Sequence, residues 1–310
     1  MNLSRFGQID FMALRKPAMI LSIVLLVISV GSLFSLKLNV GIDFTGGSII
    51  EVGYPEAVEL EPIRQALESN GFADAIVQHF GSASEVLIRL VPDLEKEKAE
   101  LSSEIINILN TSYGSELDVR RVDFVGPQVG EELTEDGGLA VLYALIAILI
   151  YVAFRFEYRF SVGAVAALVH DVTITLGIFS LLQLDFDLSV LAALLAVIGY
   201  SLNDTIVVFD RVRENFRKIR KKTSLEVVNI SVNQTISRTL MTSLTTLLVL
   251  LSLFFLGGEA IHAFALALII GVVVGTYSSI YVATTSALAL GISRTDLLLP
   301  EKEGEDPARP

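Results

Sequence analysis

The chain has 310 residues, of which 52% are hydrophobic and only 19% charged, and its mean hydropathy of +0.62 is too high for an ordinary soluble enzyme of this length. A net charge of -12 and the absence of cysteine exclude three further classes: proteins with a basic face for nucleic acid, disulfide-stapled domains and thiolate enzymes. Three scattered histidines, His79, His170 and His262, offer no metal site, and nothing in the chain calls for a cofactor.

Six apolar blocks, at about 17–36, 138–154, 161–182, 188–209, 239–256 and 261–290, are long enough to cross a bilayer. The first follows Arg5, Arg15 and Lys16 and lacks an A-x-A cleavage site, so it reads as a retained anchor rather than a signal peptide. Lys and Arg collect in the N-terminal tail, in the 155–160 turn and in a 210–238 loop, whereas the short 183–187 and 257–260 loops have none. The positive-inside rule then puts tails 1–16 and 291–310 in the cytoplasm and segment 37–137 on the opposite, periplasmic side.

Segment 37–137 carries 20 of the 35 acidic residues and 7 basic ones, the balance of a separate soluble domain. Its periodicity predicts a strand at 47–53, a helix at 61–70, strands at 75–80 and 84–91, a helix at 94–112 opened by Pro92, and a strand at 117–125. The order β-α-β-β-α-β is ferredoxin-like. The expected architecture is an α-helical polytopic membrane protein with six transmembrane helices and an α+β ferredoxin-like domain inserted between the first two.

Ionisable residues inside spans are the most informative feature, because a charge near the bilayer centre costs about 2.5–3.5 kcal/mol even on a lenient scale. Asp171, beside His170, falls about 15 Å into the third span, and Asp204 falls about 8 Å from the cytoplasmic end of the fourth. Arg238 enters the fifth span from that same end, so it reaches a depth similar to that of Asp204. One reading of this pair is a structural staple or a snorkelling arginine. The other is a proton relay: low dielectric favours the neutral acid, a guanidinium favours the carboxylate, and small movements switch between them. Ser201, Asn203 and Thr205 could extend a hydrogen-bonded path. His170 and Asp171 read either as a local polar contact or as a second proton site.

Ala192, Ala196, Gly199 and Asn203 form a small-residue stripe, and Gly271 and Gly275 a G-x-x-x-G; both suit close helix approach. The basic 211–222 run reads as an anchor near anionic membrane lipid. There is no Walker A motif and no dinucleotide fingerprint. An aspartyl-protease dyad is disfavoured, because VHDVT and SLNDT lack the G-x-G-D context and Arg238 competes for Asp204.

Five stretches carry a family resemblance: GIDFTGG (Gly41 to Gly47), VGPQVGEEL (Val125 to Leu133), YSLNDTIVVFDRVREN (Tyr200 to Asn215), SRTLMTS (Ser237 to Ser243) and GTYSSIYVA (Gly275 to Ala283). Over nearly the whole chain the sequence resembles the SecF branch of the SecD/SecF family, within the resistance-nodulation-division superfamily. The resemblance implies pairing with SecD through pseudo-symmetric six-span halves. It implies assistance to SecYEG, and indirectly to SecA, late in export across the bacterial inner membrane, with YajC and YidC as further partners. Proton-motive force would draw the translocating polypeptide out on the periplasmic side. The Asp of the SLND motif and the Arg of the SRT motif, here Asp204 and Arg238, take proton-path roles by the same resemblance. Gly41, Asp43, Gly46, Gly47, Gly126, Pro127 and Gly130 would then form the junction that passes helix movement to the external domain. A passive scaffold holding SecD beside the channel is the alternative. A lone small-molecule exporter is less favoured, since the external domain is small and the six-span half lacks its mate.

Overall fold

A computed structural model describes residues 9–91 and 98–293. Arg5, Pro92 as helix opener and the acidic C-terminal tail lie outside these residues.

The chain enters through a short turn (Phe11–Leu14) and helix α1 (Arg15–Ser35). It then crosses strand β1 (Asn39–Val40) and a single helical turn, α2 (Ile42–Thr45). The external domain follows as β2 (Gly47–Gly53), α3 (Leu60–Ser69), β3 (Ile76–Phe80), β4 (Ser82–Leu90), α4 (Lys98–Tyr113) and β5 (Asp118–Val125). The sheet order is β3-β4-β2-β5 with every neighbour antiparallel, the arrangement expected of a ferredoxin-like domain. Alternation along β2 and β4 turns Ile50, Val52, Val86 and Ile88 to the helices, where they meet Ile63 and Leu67 of α3 and Ile105 and Leu109 of α4.

Five further helical segments complete the bundle. They are α5 (Pro127–Arg155), α6 (Tyr158–Leu181), α7 (Leu188–Lys218) and α8 (Ser224–Leu256), then α9 (His262–Ser278), which runs through a π-helical turn (Ser279–Ala283) into α10 (Thr284–Ala289). Among the described residues, six helical stretches are long and apolar enough to cross a membrane. α6 and α7 are the most enclosed, while α1, α5 and α8 keep most of their apolar surface outward.

Glycines set the inner contacts. A Cβ on Gly177 of α6 would lie 2.2 Å from Ser29 of α1, and one on Gly271 of α9 would lie 2.1 Å from Val197 of α7. Gly275 likewise faces Ser201. The G-x-x-x-G of the last span is therefore an α7–α9 contact.

Two features differ from the hydropathy reading. The basic 210–238 segment is almost wholly helical: α7 runs on to Lys218 and α8 begins at Ser224, behind a capping box in which Thr223 and Glu226 bond each other's backbone. Hydropathy marks where a helix becomes polar, not where it ends. In the same way α5 starts at Pro127, eleven residues before its apolar block, because proline suits a helical first turn, where no N–H is needed.

Candidate functional site

Asp204 sits on the inner face of α7 and is 4% exposed. Its Oδ2 has no hydrogen-bond partner, and the hydroxyls of Thr205, next along α7, and of Thr239, next to Arg238 on α8, are buried and unpartnered as well. Arg238 of α8 lies near enough for its charge to act on Asp204, without forming a close ion pair. It lines a crevice of about 220 Å³ between α7 and α8, together with Val207, Asp210, Arg211, Glu214 and Gln234. The crevice opens at the end of the bundle where Arg155 forks onto Asp210 at 2.9 and 3.1 Å. A buried acid with spare acceptor capacity, a nearby cation and a polar opening make up a group that can gain and lose a proton.

Ser201 and Asn203 do not join Asp204. One turn up α7, Ser201 Oγ donates to Asp171 Oδ2 of α6 at 2.5 Å. Ser278 Oγ of α9 donates to the same oxygen at 2.7 Å, and His170 Nδ1 lies 2.9 Å from Asp171 Oδ1. Asn203 is exposed on the outer face of α7, in line with exposed Ala192, Ala196 and Gly199. That small-residue stripe is thus left open to a neighbour.

The junction residues pack backbone against backbone. Gly46 (φ 70°) and Gly47 (φ 125°) adopt conformations that favour glycine. A Cβ on Gly46 would lie 2.9 Å from Pro127 Cα, and one on Gly130 would lie 2.8 Å from Gly46 N. Gly126 is the N-cap of α5. Gly41 N–H donates to Phe186 O at 2.8 Å, which places β1 parallel to strand β6 (Asp185–Phe186). Asp43 reaches furthest: its Oδ2 accepts Leu188 N–H at 3.0 Å, capping α7 beside Asp187, whose Oδ1 accepts Val190 N–H.

Sequence reasoning missed Ser278, Thr239 and the tie of the sheet to β6. Gln78 Nε2 donates to Asp185 Oδ2 at 3.1 Å, and Arg89 Nη1 donates to Val40 O at 3.0 Å. Between sheet and bundle lies a cavity of about 440 Å³, lined by Asp43, Glu51, Arg89, Arg121, Asp123 and Asp187 among others. Burial, then the nearby Glu85 carboxylate, raises the Glu51 carboxyl above its ordinary range. On the helix side of the sheet, burial followed by Tyr113 pushes the Tyr54 phenol up to about 12.

Six apolar helices enclosing a few buried ionisable groups, with a ferredoxin-like domain between the first two, define a polytopic membrane protein whose polar machinery lies inside its bundle. Residues 105–293 match the family described as protein export membrane protein SecD/SecF, C-terminal, and residues 31–54 match the SecD/SecF GG motif. The chain belongs to the SecD/SecF family. It is 54% identical to the protein translocase subunit SecF of Vibrio alginolyticus, covering 96% of this chain and 95% of that one. It is 46% identical to the Pseudomonas aeruginosa SecF, covering 99% of each. The crystal structure of SecDF from Thermus thermophilus, described as a translocon-associated membrane protein, superposes with a TM-score of 0.83 at 42% identity. That match covers 92% of this chain and 39% of the Thermus chain, so this chain spans about two fifths of SecDF.

Proposed function

We propose that this chain is the SecF-type subunit of a bacterial protein translocase and that it couples proton flow through Asp204 to movement of its external domain. It stands in the inner membrane with residues 1–16 and 291–310 cytoplasmic and 37–137 periplasmic, beside SecD. SecYEG, SecA, YajC and YidC complete its surroundings, and the emerging polypeptide is its cargo. It performs no bond chemistry of its own.

The observation that carries this reading is that one helix joins both ends of the device. α7 holds Asp204 with an unpartnered buried oxygen, and its first turn is capped by Asp43 of the GIDFTGG junction. From Leu188 to Asp204 is about 24 Å at 1.5 Å per residue. Protonation of Asp204 removes the charge that Arg238 faces, α7 shifts against α8, and the cap delivers the shift to α2 and the packed Gly46–Pro127 contact. A proton falling through 100 mV supplies about 2.3 kcal/mol, enough to move a two-state equilibrium by more than tenfold.

Completion of preprotein translocation, driven by proton-motive force without ATP in vesicles, tests the reading once Asp204→Asn has been shown to co-purify with SecD. Loss of the response with intact assembly is expected. An unchanged response would move Asp204 and Arg238 to a structural role and favour the scaffold. The swap Asp204→Arg with Arg238→Asp would restore a staple, yet should not restore a directional relay.

A further inference from the structure

Asp171 is fully buried, and each of its three side-chain neighbours can donate to it. The hydroxyls of Ser201 and Ser278 fill both lone pairs of Oδ2 and leave Oδ1 to His170; an ionised Asp171 takes this third bond from His170 Nδ1–H. That leaves His170 Nε2 as the open position. It is buried, in a side chain only 2% exposed, and it has no partner.

Among the described residues, α1, which packs along α6, carries Arg15 and Lys16 in its first turn, about two turns before Ser22. Tyr277 of α9 stacks on His170 at 6.2 Å, but its hydroxyl is engaged with Ser22 and Ala18 of α1. α7 brings Asp204, one turn beyond Ser201, and Tyr200, which reaches toward Ser243. α5 between Gly137 and Phe154 carries only Tyr143 and Tyr151, both exposed; the π-helical turn brings Tyr281, and α10 has no ionisable side chain. A neutral imidazole beside the carboxylate leaves one negative charge in a low dielectric, which is unfavourable. A proton on Nε2 converts the pair into imidazolium and carboxylate with no net charge.

We propose that His170 and Asp171 form a proton-binding dyad inside the bundle, loaded at His170 Nε2, and that its load sets how firmly Asp171 holds α7 and α9. Unloaded, the carboxylate grips both serine hydroxyls with its full charge. Loaded, it is drawn toward the imidazolium, and the grip on Ser201 and Ser278 weakens. Ser201 lies one turn from Asp204, and Ser278 immediately precedes the π-helical turn, a local irregularity of the kind that helices place at functional sites. The dyad is thus a positioning group for Asp204's helix. The inference rests on the relay reading for its use, but not for its detection, because the readout is the imidazole itself.

The test is solid-state 15N NMR of the SecD-bound protein in lipid bilayers, with histidine labelled in this chain alone and His79→Gln and His262→Gln introduced so that His170 gives the only signal. Between about pH 9 and pH 5, Nδ1 is expected to stay protonated while Nε2 passes from bare to protonated. Asp171→Asn should weaken proton binding at Nε2 by about tenfold or more. Should that variant fail to assemble, Ser278→Ala serves instead. It removes a donor from the carboxylate and should tighten proton binding severalfold. A neutral ring with its proton on Nε2, an Nε2 unchanged across the range, or a titration indifferent to the substitution used would overturn the dyad. In Asp204→Asn the His170 signal should still titrate, so failure of the relay and failure of the dyad read out separately.

Discussion

The external domain and the membrane bundle are built on opposite rules. Beneath the sheet the core is mainly aliphatic, with Ile50, Leu67, Val86, Ile88, Ile105 and Leu109 each at most 1% exposed. In the bundle, by contrast, Asp171, Thr175, Ser180, Ser201, Ser231 and Ser278 are buried to the same degree, while leucines, valines and phenylalanines of α1, α5 and α8 lie outside. Water pays for burying carbon, so a soluble core gains from bulk. Lipid makes no such distinction, so helices in a membrane associate where small residues let backbones meet and hydroxyls find partners.

If the rules are opposite, removing bulk should hurt one region and adding it should hurt the other. Ile88→Ala leaves a hole under the sheet and should cost the external domain about 2–5 kcal/mol, read as faster hydrogen exchange in β2 and β4 with the bundle unaffected. Gly271→Val pushes against Val197 and should destabilise the α7–α9 contact by about 1–3 kcal/mol, visible as a lower unfolding midpoint in detergent. A null result there would mean that the contact is looser than described. The smallest effect belongs to Ser32→Ala, which removes a 2.8 Å bond to Ser180 across α1 and α6. Interhelical hydrogen bonds in membranes average about 0.6 kcal/mol, so only a sensitive equilibrium assay should resolve it, and a loss as large as that of Ile88→Ala would sink the comparison.

The pH response of the external domain follows the same logic. Glu51 is raised by burial and by Glu85, so the folded state holds its proton more firmly than the unfolded chain. Its contribution is therefore favourable at low pH and is lost as pH rises through the raised value. Glu51→Gln should flatten that dependence.

Much of this was legible in the sequence, for identifiable reasons. Alternation in Gly47 to Gly53 and 3.6-residue spacing in Glu61 to Asn70 are signals of one face meeting a core, and both elements formed within a residue of expectation. Asp204 and Arg238 stood out because charge in a span is costly. The division of the polar residues between two clusters was not legible. Ser201 and Asp204 are three positions apart, close enough in sequence to suggest one path, yet Ser201 turns to α6 and Asp204 toward α8. Ser278 carried no signal, since a serine in a GTYSS run looks like packing until a carboxylate from another helix is found against it. The β1–β6 pair is two residues long and joins segments 146 positions apart, beyond the reach of any local pattern.

α7 is continuous for 31 residues and is seated at one end on Asp43. In the proposed relay it would work as a lever with its fulcrum near Asp204. A tilt of about 10° around Asp204 would carry Leu188 about 4 Å, given the 24 Å arm set by helix rise. The opposite arm, down to Lys218, is of nearly equal length, about 21 Å. In that reading, whatever grips the basic end of α7 would feel almost the same stroke in reverse, so a load there would act as a brake on the ferredoxin-like domain.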